Sequence, residues 1–107
     1  PEALREGAHR AVADQLSSGV STMADTAPNR FGFDALRAAG ARGIAYREVF
    51  GPDPAQCAAS LTGLQQAVDE MRADATELVQ VGVSPHAPFS VSDALYAAVA
   101  AWATAQR

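Results

Sequence analysis

His86 is the residue of this chain best placed to act on a ligand. It lies in V-G-V-S-P-H-A-P-F-S-V-S, residues 81 to 92, where an apolar strand pattern runs into a histidine bracketed by Pro85 and Pro88 and then into a helix start. Such a junction sets the side chain at the carboxyl end of a strand, where open and closed α/β folds hold their ligands. The two prolines restrict the backbone, so the imidazole has little freedom left to lose on binding. An imidazole donates, accepts or carries charge near neutral pH, which suits a hydroxyl or a carboxylate. The competing reading is a structural histidine donating to a backbone carbonyl in the strand-to-helix turn.

Arg47 is the second candidate, near the carboxyl end of G-I-A-Y-R-E-V-F, residues 43 to 50. Strand alternation puts it on the face of Ala45 and Val49, opposite Ile44, Tyr46 and Glu48. Pointing inward, its guanidinium would clamp a carboxylate bidentately. Alternatively it pairs with Asp25 and locks two strands, since a buried charge needs a partner. Glu48 is then expected to face the covering helices in an ion pair, and Asp25 to cap the loop of residues 26 to 29. His9, among Arg5, Glu6 and Arg10, is expected in solvent. Zinc takes three or four protein ligands, and only the distant His9 offers a second imidazole, so no metal site is expected within the chain.

Composition narrows the function class. The chain has 107 residues, 49% hydrophobic and 19% charged, with a net charge of -4, which is ordinary for a globular domain. All eight basic residues are arginines and they are scattered, which speaks against a phosphate-tracking surface for nucleic acid. Cys57 is alone, so neither an internal disulfide nor a Cys-rich zinc module is expected, and a reducing, cytoplasmic setting fits. No apolar run approaches the roughly 20 residues of a membrane span. The chain starts at Pro1 and stops at Arg107 within a helical pattern, which reads as an internal piece of a longer protein.

The elements alternate. Leu4, Ala8, Ala11, Val12 and Leu16 predict a helix over about residues 2 to 17, ended by Gly19. A strand near 20 to 25 follows, then a short helix ended by Gly40 and a strand over 43 to 50. Asp53 and Pro54 open a helix to about residue 74, with Leu61, Leu64, Ala67, Val68 and Met71 as its apolar stripe. A strand over 78 to 84 and a helix from about Ser92, marked by Leu95, Val99 and Trp102, complete the order. Strands joined by helical crossovers imply a parallel, right-handed sheet. Three strands and four helices make either a small open sandwich, complete in itself, or an arc of a barrel.

Three motifs carry a resemblance. G-V-S-T-M-A-D at 19 to 25, G-I-A-Y-R-E-V at 43 to 49 and above all S-P-H-A-P-F-S at 84 to 90 resemble the middle of a metal-dependent amidohydrolase. The branch is that of the chlorohydrolases and the deaminases of methylthioadenosine, S-adenosylhomocysteine and related amino-purines. The resemblance implies a partial (β/α)₈ barrel, with this chain supplying about its second to fourth strands. It also implies a divalent metal, zinc or iron, held by an H-x-H pair and by further His and Asp residues on segments other than these. No catalytic residue and no metal ligand is then expected in this chain.

In similar deaminases the histidine of the third motif contacts substrate, which here is His86; Phe89 stands where the family more often has Tyr. The implied reaction is hydrolytic deamination of a heterocycle by a metal-activated water, with His86 and Arg47 positioning the substrate. Hydrolysis of another C-N or C-Cl bond, a catalytically dead paralogue used in assembly and a non-catalytic binding domain stand as alternatives. The final helix with Trp102 offers a surface to a neighbouring helix or to a second subunit of a homo-oligomer.

Overall fold

The computed structural model describes residues 1 to 106 and contains three strands and four α-helices in strict alternation. They are α1 (Glu2–Ser17), β1 (Thr22–Ala27), α2 (Phe31–Ala38), β2 (Arg42–Val49), α3 (Cys57–Ala73), β3 (Val79–Pro85) and α4 (Asp93–Ala105). Gly19 and Gly40 take positive φ angles of 89° and 61° where α1 and α2 turn into the following strands, a conformation that glycine adopts without a Cβ penalty. The Asp53 carboxylate accepts from the Ala55 N–H at 2.9 Å and Pro54 follows it, as the sequence pattern implied. The first turn that they open is 3₁₀ rather than α. Ser92 caps α4, its hydroxyl accepting from the Leu95 N–H at 3.3 Å.

The sheet is parallel with strand order β1-β2-β3. Its register aligns Met23, Gly43 and Val79 in one row and Ala45 with Val81 in another, so these residues share a face. Two hydrophobic clusters form on that face. The first joins Met23, Ala45 and Val79 to Val12, Phe33, Leu36 and Met71. The second joins Val49 to Leu64, Val68, Leu95 and Val99, with Val81, Val83 and Trp102 packed against it. Every strand residue of either cluster lies on the same face as Met23, so all the helices cover one side.

One-sided cover excludes a doubly wound sheet and fits an arc of a barrel. A doubly wound sheet has helices on both faces, whereas a barrel segment has them outside only. Sequential strand order points the same way, because it lacks the reversal of a doubly wound sheet. The chain is therefore α/β with the architecture of a barrel arc.

α1 departs from its expected stripe. Only Val12 is buried, while Leu4 remains 65% exposed, because α1 stands at the outer end of the layer and packs mainly on α2. No helix is long and apolar enough to cross a membrane.

Candidate functional site

The face turned away from the helices carries Ala24, Ile44 and Gln80 in one row, Thr26, Tyr46 and Gly82 in the next, and Glu48 beside Ser84 nearest the carboxyl ends. Tyr46 lies over Gly82, and a Cβ at residue 82 would come within 2.5 Å of its ring. Past the strand ends, residues 86 to 92 form a loop stitched to the end of β2 by three backbone hydrogen bonds. His86 N–H donates to the Val49 carbonyl at 3.1 Å, Gly51 N–H to Ser90 at 2.9 Å, and Ser92 N–H to Gly51 at 2.8 Å. The loop is held by this ladder as well as by its prolines.

His86 is exposed on this loop. Its ring stacks on Phe50 with centroids 4.5 Å apart and an interplanar angle of 29°, and meets Phe89 edge-on at 5.9 Å. Its Nδ1 lies 2.7 Å from the Ser90 hydroxyl. The turn thus holds His86 through a side chain, not through the ring-to-carbonyl bond expected of a purely structural histidine. Phe89 is 84% exposed and Phe50 44%, so the imidazole sits in an open aromatic setting at the strand ends.

Arg47 is elsewhere. It shares the face of Ala45 and Val49 as alternation required, but that face is the one packed on the helices. Arg47 lines a helix-side cavity with Asn29, Phe31, Ala67, Glu70 and Met71. The expectation that it points inward is corrected, because the small Ala45 and the apolar Val49 belong to the covered side. Glu48 is corrected with it and stands on the uncovered face. Among the described residues neither makes an ion pair, so the proposed Arg47–Asp25 bridge is not formed.

Asp25 also faces the helices, its carboxyl packed against the Gly32 backbone in a cavity bounded by α1, β1 and α2. Burial raises its pKa above the usual carboxylate value. The loop cap expected of it is made instead by Asn29, whose side-chain oxygen accepts from the Phe31 N–H at 2.9 Å.

Phe50, Ser90, Glu48 and Ser84 were not singled out from the sequence as site residues. Ser90 had a signal, since it follows His86 by four residues across a Pro-containing turn. The face of Glu48 could be read only once β3 was aligned, because Val79, Val81 and Val83 show which side is apolar.

Among the described residues no three His, Cys, Asp or Glu side chains cluster so as to hold a metal ion. No protein-family model matches the chain, and no curated protein matches it. A solved structure does: atrazine chlorohydrolase TrzN from Arthrobacter aurescens TC1, complexed with zinc, is similar with a TM-score of 0.76 at 17% identity. The match covers 99% of this chain and 28% of that protein. At this identity the likeness is one of fold, and it extends over nearly all of the arc.

Proposed function

We propose that the chain forms part of the barrel wall of a metal-dependent hydrolase of the amidohydrolase type, acting on a nitrogen heterocycle. Deamination of an amino-purine nucleoside is the reaction favoured by the S-P-H-A-P-F-S motif. The observation that carries this reading is the placement of His86. It is exposed at the carboxyl end of parallel strands that are helix-covered on one side only, in an arc similar to part of a zinc-complexed chlorohydrolase. In such folds that end is the ligand face.

On this reading the metal is held by other segments of the protein, and no residue here is assigned to it. The contribution of this chain is positioning. His86 offers a fixed imidazole to a polar substituent, and Phe50 and Phe89 offer apolar surface to a planar ring. Arg47 has no part in this, given the side on which it lies. The same reading places the protein in the cytoplasm with a small-molecule substrate.

Hydrolysis of a C-Cl bond is the second reading, and it is favoured by the name of the similar structure. Assay of the full-length protein separates the two: ammonia released from adenosine supports the first, and chloride released from atrazine supports the second. If neither product forms in metal-replete protein, a binding module without chemistry takes their place. In the active protein, His86→Ala is expected to raise KM about tenfold, the loss of roughly one hydrogen bond, with metal content unchanged. An unaltered KM would make His86 structural.

A further inference from the structure

We propose that Ser90 is a positioning residue that fixes the tautomer of His86, so that Nε2 faces the ligand as a hydrogen-bond acceptor. The Ser90 hydroxyl has one proton and two neighbours, His86 Nδ1 at 2.7 Å and the Ala87 carbonyl oxygen at 3.2 Å. A carbonyl can only accept. Were the proton given to Nδ1, the hydroxyl and carbonyl oxygens would face each other with no hydrogen between them. All three groups are satisfied when Nδ1–H donates to Ser90 Oγ and Ser90 O–H donates to Ala87.

The hydroxyl is itself well placed for this. The Ser90 N–H donates to the Ala87 carbonyl at 3.0 Å, and the Ser90 carbonyl accepts from Gly51 N–H at 2.9 Å. Phe50 stacks on the imidazole and defines its plane. Within the described residues, hydrogen bonds reach His86 only at Nδ1 and at its backbone N–H. The neutral ring therefore keeps an uncommitted lone pair on Nε2. A hydroxyl, amine or ring N–H meets that atom as a donor; a carboxylate or phosphate would set lone pair against lone pair.

The choice of ligand group rests on the reading of His86 as a substrate contact, whereas the tautomer is measured without any ligand. Long-range proton–nitrogen spectra of the full-length ¹⁵N-labelled protein, with the neutral His86 ring assigned through His86→Gln, should show the proton on Nδ1. Ser90→Ala should shift the signals toward the Nε2-protonated pattern, and Ser90→Thr, which keeps the hydroxyl, should restore them. An Nε2-protonated wild-type ring, or a pattern unchanged by Ser90→Ala, would overturn the proposal. The wild-type spectrum decides even if Ser90→Ala does not fold.

With adenosine as substrate, Ser90→Ala should raise KM several-fold, by a larger factor than kcat falls, with recovery in Ser90→Thr. An unchanged KM overturns the ligand-facing role. Absence of any adenosine turnover counts against the deaminase reading and leaves the tautomer to the spectra.

Discussion

Asp25 shows how a single side chain can be chemically unusual without belonging to the candidate site. Its carboxyl is desolvated against the Gly32 backbone on the helix side, which raises its pKa above the ordinary value of 3.8. The folded state thus binds the proton more tightly than the unfolded state. Stability is fully supported below the unfolded pKa and declines as pH rises through the folded one. Asp25→Asn is therefore expected to melt higher than the parent protein at pH 7, with the advantage vanishing below about pH 3.8. Parallel melting curves between pH 3 and 7 check this; a pH-independent difference would locate the effect in packing.

At the scale of elements, Arg30 joins two helices. It pairs with Asp34 of α2 at 2.9 Å and with Asp74, just past α3, within hydrogen-bonding distance at 2.6 Å. The Arg30 hydrogen bond holds the Asp74 pKa below its usual value, so this contribution is present above the unfolded carboxylate pKa and fades as pH falls through the folded one. The pairs are exposed enough to be screened, so Arg30→Met should lower the denaturation midpoint only slightly at low salt, measured by denaturant unfolding, and still less at high salt.

Gly43 is a sharper constraint. A Cβ there would lie 2.5 Å from the Met23 carbonyl oxygen, a backbone atom fixed by the β1–β2 ladder. Gly43→Ala should cost about 1–3 kcal/mol or more, seen as a lower denaturation midpoint, because neither strand can yield without losing register.

The whole molecule is an open slab. Its radius of gyration is 14.6 Å and its extents are 44 × 29 × 21 Å. A compact domain of this length would have a radius of about 13 Å. The excess fits a sheet with one bare face, on which Ile44 and Tyr46 stand without helical cover, and with two free edges, β1 and β3. Residues 1–107 expressed alone should therefore self-associate through these surfaces. Size-exclusion chromatography coupled to light scattering should show species larger than a monomer, whereas a monodisperse monomer with a single cooperative melt would mean that the arc is self-sufficient.

The sequence determined the order and type of the elements to within two or three residues at most boundaries, since apolar periodicity, Gly19, Gly40, Asp53 and Ser92 act locally. It also determined that His86 ends a strand. Where it misled was the side of the sheet on which Arg47 and Glu48 lie, expected inward and toward the helices respectively and found reversed. Alternation separates two faces but does not label them, and in β2 the larger side chains Ile44 and Tyr46 sit opposite the small Gly43 and Ala45 that the helices cover. Only the tertiary structure, by setting Ala45 beside Val81 and packing both against helices, decided that Arg47 faces away from the candidate site. The contact of His86 with Ser90 and Phe50 was decided there too, because it depends on how the loop folds back along the end of β2.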